Sequence, residues 1–526
     1  MKRILTLLFL SGIGISLIPV KAQNVHIPDP AFKSYLVGNP AINTNGDSEI
    51  QLSEAQSFTG TINASSLGIS DLTGIQSFPV ITGLDVSNNQ LTELVLSHNQ
   101  NLQSISCQDN QISELSVTSN TVLQQLRCYR NQLTSLQIGQ NSILKEIWCH
   151  ENQLTELNVL YLPALEMLSC RANQLTSIVV AQNPVLKELS CGSNQLTELD
   201  ITQNPILEKL LCDYNQIEAL DVTQNPVLKS LTCFGNELTE LDVTQNPVLE
   251  ILWCPENQLT ELDVTQNPVL VSLICDTNQL TALDVTQNPV LDDLTCYTNQ
   301  ITALDVTQNP ELISLVCYEN NIAELNLTQN PELEILWCDS NQLTTLNLTQ
   351  NPVLRNLSCG YNQLTELDLS QNPELERINS ESNQLTSLNV KNGNNIDISD
   401  ADFWTINNPD LFCVVVDDPD WSTANWTSYI DLHTSFSEDC ENMSVSGSLV
   451  DENIKIYPNP FSDSLVILSG QTMDKVLVYD VTGALHYESN LQDREVALDL
   501  SHLKPGIYFI KIISGQLEIV HKAIKK

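Results

Sequence analysis

Positive charge is scarce in this chain of 526 residues: 22 Lys and Arg stand against 64 Asp and Glu, a formal net charge of −42. A surface so negative repels phosphate backbones and anionic lipid heads, which removes nucleic acid from the expected partners. It permits a cationic partner without requiring one. Histidine is also rare, and the seven present are scattered from His26 to His521 among different segments. No nucleophile elbow, phosphate loop or paired metal ligands accompany them, so an enzyme ranks last among the function classes. Past residue 22 no apolar run approaches the ~20 residues that cross a bilayer, so a transmembrane chain is not expected. Aromatics make up 5% of the chain, so any place where they gather counts.

Cysteine, by contrast, is abundant and periodic. Thirteen cysteines run from Cys107 through Cys128, Cys149 and Cys170 to Cys338 and Cys359, each 21 positions after the last without an insertion. A beat that strict implies stacked coils. One copy reads Leu249-x-x-Leu252-x-Cys254-x-x-Asn257-x-Leu259-x-x-Leu262-Asp263-Val264-Thr265-Gln266-Asn267-Pro268. Both halves alternate apolar and polar residues, the period of a strand with one buried face, and neither leaves room for a long helix. Asn-Pro forces a turn at the end of most units. One unit cannot bury its leucines alone, whereas stacked units share a core.

In-register neighbours in such a stack hold their Cβ atoms near ~4.8 Å, longer than the ~3.8 Å a disulfide wants, so the thirteen thiols are expected to be free and buried. Zinc is not expected either, since each coil offers one thiol and no CxxC or His partner. The column of Asn110, Asn131, Asn152 and Asn173 is expected to satisfy turn backbone with stacked amides.

LxxLxCxxNxL resembles the leucine-rich repeat signature, and the 21-residue form with a cysteine column is similar to the repeats of internalin J-like bacterial surface proteins. The resemblance spans residues 65–390. It implies a β-rich leucine-rich repeat horseshoe of about fifteen coils, a solenoid that binds a ligand or adheres and does not catalyse.

Residues 1–22 read as a secretory signal: Lys2 and Arg3, an apolar run from Ile4 to Val20, and a small-residue site that places cleavage between Ala22 and Gln23. Residues 23–64 form an expected N-terminal cap. Within it Asp29 and Pro30 predict a helix N-cap and first position, with a short helix through Val37. Asn43, Asn45, Asp47, the Glu49 carbonyl and Glu54 fall at positions 1, 3, 5, 7 and 12 of a loop that resembles an EF-hand or dockerin loop. The resemblance implies calcium as the one candidate cofactor. Position 1 is a neutral Asn, and position 6 is Ser48 where the turn wants glycine; a structural cap turn is the alternative.

The second half of each unit repeats almost verbatim, Thr-Gln-Asn-Pro recurring from Thr202 to Thr349, while the residues flanking the cysteine vary. Those positions lie at or beside the exposed side of the strand. Trp148, Trp253 and Trp337 precede their cysteines. Tyr129, His150, Phe234, Tyr297 and Tyr318 follow theirs, with Tyr214 and Tyr361 one further on. Aromatics supply large rigid contact area, so this stripe is the candidate ligand-binding face. The alternative is tolerated surface variation.

Residues 391–440 break the period. Phe403, Trp404, Leu411, Phe412, Val414 to Val416, Trp421 and Trp426 are expected to cap the last coil, with a disulfide between Cys413 and Cys440 in an exported chain. Residues 441–452 read as a linker. Residues 453–526 carry several short strands, which points to a separate β-sandwich. Tyr457-Pro458-Asn459-Pro460, then Val478-Tyr479-Asp480-Val481-Thr482-Gly483, then Gly506-Ile507-Tyr508 are similar to the C-terminal sorting domain of type IX secretion cargo. That resemblance implies the type IX machinery as a partner, a Gram-negative owner, and a product secreted or held on the outer cell surface.

The expected function is therefore a secreted or cell-surface protein that captures a protein or glycan on its solenoid face. An architectural surface or matrix protein is the second reading, and a secreted enzyme the third.

Overall fold

The computed structural model describes residues 23–426, 428–440, 454–515 and 517–526. The signal segment with Ala22, and the linker expected at 441–452, lie outside the described residues. Gln23 is the first described residue.

Every coil contributes one three-residue strand, such as Ile251–Trp253, whose central Leu252 is fully buried. The next buried position is the cysteine, so two inward side chains per strand face one core. All thirteen ladder cysteines are free and buried. Burial pushes their thiols up, the Cys254 thiol to about 12, with nearby Asp276 adding to the effect. The coils stack into a parallel sheet of seventeen strands in strict register, for example Leu252 beside Leu273 and Trp253 beside Ile274.

The solenoid has about eighteen turns, more than the fifteen expected, because the sheet runs past both ends of the periodic sequence. Thr61–Asn63 pairs with Gly83–Asp85 at one end, and Phe403 pairs with Ile378 at the other. There Ala64 and Thr405 take the buried place that cysteine holds elsewhere. The extra residues sit in turns, so spacing is lost while the strands continue to cover open sheet edges.

The asparagine after each cysteine closes the turn. Asn257 Nδ2 donates to the carbonyls of Cys233, Cys254 and Pro255, and its Oδ1 accepts from Leu238 N at 3.0 Å. One residue earlier the backbone is left-handed in coil after coil, with φ of 52° at Glu256 and 48° at Thr298. The second asparagine column, at Asn-Pro, donates to carbonyls of preceding coils, as Asn267 does to Val243 and Asn246.

Strand pairing is one-sided. Residues Glu114–Ser116 and Ser135–Gln137 pair on the Leu-x-Val side, as do Glu366–Asp368 and Ser387–Asn389. Between them the corresponding segments form no strands, although the sequence pattern predicts them there as well. Their leucines still pack inward.

Helix α1, Pro30–Gly38, begins as expected, with Asp29 Oδ1 accepting from Ala31 N and Phe32 N. At the far end Phe403 and Trp426 stack at 4.1 Å and are buried, and Trp426 Nε1 donates to Ile398 O. Phe412, expected in that cluster, is 57% exposed. Cys413 and Cys440 form a disulfide, and Cys413–Val415 pairs with Ser435–Ser437.

The C-terminal unit is one curled antiparallel sheet. Where short strands were expected, one long strand, Ser464–Asp480, runs through Ser469 and Gly470 with a register shift. One edge of that strand pairs with Leu485–Asp499, and the other with Lys455–Tyr457 and then Gly506–Ser514. In place of the two sheets of a sandwich, this one curled sheet encloses the core of Leu465, Ile467, Val476, Val478 and Ile510.

Candidate binding face

The strand positions on either side of the buried leucine point out of the sheet, so strict register converts sequence spacing into rows on one surface. In the row before the cysteine, Arg127 stands beside Trp148, and farther along Trp253, Ile274, Thr295, Val316 and Trp337 are consecutive neighbours. Trp404 extends the same row beside Asn379, although the sequence reading placed it in the cap. Its ring lies 5.0 Å from Tyr429.

The aromatic residues fall into separate stations along the stack. In the first, the rings of Tyr129 and His150 stack at 4.4 Å, and the Arg127 guanidinium covers Trp148 at 4.6 Å. Burial holds His150 below its ordinary value although Glu151 opposes it, and Ser169 Oγ sits 3.0 Å from Nδ1. In the second, Tyr214 meets Phe234 edge to face at 4.8 Å, over Gly235, where a Cβ would come within 2.6 Å of the Tyr214 ring. In the third, Tyr297 and Tyr318 stack at 4.3 Å. Trp253 and Trp337 are 37% and 39% exposed, and Trp253 Nε1 donates to Ser272 Oγ. The tyrosines after the cysteine are half-buried because each ring covers its neighbour.

Carboxylates line the same surface. Asp213 is buried, with Arg171 Nη2 3.1 Å from Oδ2 but outside hydrogen-bond alignment, and Gly192 between them leaves the space the Asp213 side chain fills. Burial raises the carboxyls of Asp276, Asp293 and Asp339 above the ordinary range. Asp339 Oδ1 accepts from Ser358 Oγ at 2.7 Å and Gly360 N at 3.0 Å. Beside the sheet, one residue before each strand, charge alternates from coil to coil: Lys145 and Lys187 both meet Glu166, and Lys229 meets Glu208. Spacing alone carried that ion ladder, and the sequence reading passed over it.

In the loop of Asn43, Asn45, Asp47, Glu49 and Glu54 the side chains hydrogen-bond to one another and to the turn backbone. Glu54 Oε1 accepts from Thr44 N, Thr44 Oγ1 and Asn45 N, and Oε2 accepts from Gln51 N. Asn43 Oδ1 accepts from Gly46 N, and Asp47 Oδ2 accepts from Asn45 and Gln51 amides. Glu49 pairs with Lys33 at 2.7 Å. These oxygens already accept from protein donors, so a calcium ion there would take the place of those hydrogen bonds. Among the described residues no group of three or more His, Cys, Asp or Glu is placed to hold a metal.

The sorting-motif residues hold their own unit together. Asn459 bridges to the last strand through Lys522 O and Ile524 N, Gly483 turns at φ 79°, and Tyr508 Oη donates to Lys504 O. Pro458 and Pro460 flank Asn459 in that loop, Tyr457 ends the strand before it, and Gly506 opens the strand that carries Tyr508.

Residues 455–526 match the model of the secretion system C-terminal sorting domain. Among solved structures the chain is similar to the functional domain of InlJ from Listeria monocytogenes, described as including a cysteine ladder, at 26% identity and a TM-score of 0.64, covering 96% of this chain and 99% of that one. The protein is a cysteine-ladder leucine-rich repeat solenoid with a sorting domain for type IX secretion. A leucine-rich repeat protein of Leptospira interrogans is similar at 28% identity and TM-score 0.56, over 64% of this chain and 92% of that one. An internalin of Listeria monocytogenes at 18% identity and TM-score 0.50, over 64% and 97%, shares the fold. No curated protein matches. Among the described residues no helix is long and apolar enough to cross a membrane. The sorting domain marks this leucine-rich repeat chain for export.

Proposed function

We propose that the exported chain is a secreted or surface-held binding protein of a Gram-negative bacterium, capturing a protein or glycan on the ladder face without catalysis. One observation carries this reading: a nearly invariant repeat holds one variable face, and most of the aromatics of the repeats, exposed Trp253 and Trp337 among them, lie on it. Large rigid rings beside polar groups are the usual anchors of binding surfaces. The experiment is a glycan and protein binding screen with the exported chain and with Trp148, Trp253 and Trp337 each changed to Ala. Ligand capture lost in at least one variant, with thermal stability retained, supports the reading. Unchanged capture in all three removes the face from it.

The stacked pairs Tyr129–His150 and Tyr297–Tyr318 favour a second reading, in which the rings brace neighbouring coils of an architectural surface protein. Under it the Trp variants lose stability and no ligand is found.

A further inference from the structure

The alternating ion ladder beside the sheet stops in the middle of the array. After Lys229 and before Arg355 the sequence contains no Lys, Arg or His. At the ladder positions of this stretch stand Glu250, Val271, Asp292, Ile313 and Glu334, with Ile313 42% exposed. The row from Trp253 to Trp337 lies within the same coils. It crosses four strand steps, roughly 19 Å at ~4.8 Å each, the length of about six extended residues. Between the two indoles the row passes half-buried Ile274 and Thr295 and the 9% exposed Val316, so the tryptophans bound a shallow apolar trough.

Acid flanks both sides of the trough. Asp276 and Asp339 lie in the row after the cysteine with the Tyr297–Tyr318 stack between them, and Asp293 lies in the row across the strand. Ser272 Oγ links Trp253 Nε1 to Asp293 Oδ2, fixing the indole and leaving the carboxylate without a counter-ion. Among the described residues no cation lies within 4.0 Å of Asp276, Asp293 or Asp339, whereas Asp213, outside the trough, has Arg171. Arg377 lies near enough to Asp339 to oppose the rise of its carboxyl, so the carboxylates with no cation of their own are Asp276 and Asp293, and carboxylates held so among aromatic faces complement guanidinium or ammonium groups.

Resting on the reading of the ladder face as the binding face, we infer that the trough from Trp253 to Trp337 docks an extended protein segment of alternating cationic and aliphatic residues. Its aliphatic side chains fill the row between the indoles, and its cations lie on the Tyr297–Tyr318 rings, beside half-buried Asp293 and above Asp276, which is 4% exposed and acts through its charge. Neutral glycans stack on the rings and hydrogen-bond the carboxylates but leave their charge uncompensated, and an anionic segment is repelled.

The test uses the full chain and three labelled probes: an Arg–Val alternating hexapeptide, its Glu–Val twin, and chitohexaose. The Arg–Val peptide is expected to bind at least tenfold tighter than the Glu–Val peptide. Its affinity should fall at least tenfold in the Asp276→Asn/Asp293→Asn pair and in the Trp253→Ala/Trp337→Ala pair. The control pair Glu240→Gln/Glu261→Gln, on the Leu-x-Val side of the coils, should change it less than twofold. Because Asn is isosteric and removes uncompensated charge, the Asp pair should melt no lower than the parent, which separates lost docking from lost folding. Arg–Val binding that is absent, or equal in both Asp variants and controls, overturns the inference. Chitohexaose captured in a Trp253- and Trp337-dependent way, with no Arg–Val preference, overturns the cationic partner while leaving the binding face standing.

Discussion

Replacing Asn257 tests the turn that every coil depends on. Its side chain makes three donor contacts at 3.1, 3.2 and 3.1 Å and one acceptor contact at 3.0 Å, all to backbone atoms of its own or the preceding coil. Asn257→Ala strands the Leu238 N–H, while the Cys233 carbonyl keeps Asn236 Nδ2 as a donor. One buried orphan costs roughly 1–3 kcal/mol, so a loss of that size is expected. Asn257→Asp keeps the shape and the acceptor but turns an oxygen toward three carbonyl oxygens, so it should be the worse of the two at pH 7. Burial among acceptors raises the carboxyl of that new residue. The charge therefore destabilises above the raised value, and the deficit shrinks as pH falls through it toward the unfolded value. Urea unfolding at pH 7 and pH 5, with amide exchange of residues 231–259, reads both effects. An Asp variant as stable as the parent at pH 7, or more stable than the Ala variant, refutes the turn as described.

Asp339→Asn should stabilise the protein at pH 7. Burial raises the Asp339 carboxyl, so its charged form costs stability above the raised value, and the gain from Asn should fade as pH drops toward 3.8; thermal melts across pH 4 to 8 check it. Glu54→Gln should cost about 1–3 kcal/mol, with or without calcium, because four donors lose their carboxylate. Burial pushes Glu54 up, but the N–H donors of Gln51, Thr44 and Asn45 outweigh it, so its contribution is present above 4.5 and lost as pH falls through the lowered value. Calcium or chelator should leave the parent melting temperature unmoved. A rise with calcium that Glu54→Gln abolishes would establish the metal site.

Much of this was legible because a strict beat fixes register. Once Cys107 through Cys359 share one inward position, the neighbours of each cysteine must form rows, and Trp253 and Trp337 fall on one of them. Helix α1 was legible from Asp29 and Pro30, whose cap geometry is local. The left-handed residue of each turn was not, since Asp109, Thr298 and Tyr361 occupy it alike and only the backbone demands it. One-sided pairing was hidden for a related reason: both half-coils alternate like strands, and pairing depends on how neighbouring coils stand to each other. The spacing of the calcium-like loop was legible, while the orientation of Glu54 toward Thr44 and Asn45 is tertiary and was not. Trp404 was missed because an insertion in a preceding turn shifts it out of the period. The gap in positive charge between Lys229 and Arg355 was open to inspection throughout, as a run defined by what does not occur.

Native-state thiol counting tests the ladder most directly. The folded protein is treated with iodoacetamide and weighed intact, then treated again in denaturant under non-reducing conditions. The account predicts no modification of the thirteen ladder cysteines while folded and complete modification once unfolded. Ready alkylation of the native chain, or ladder cysteines that stay unmodified in denaturant because they are joined to one another, would contradict it.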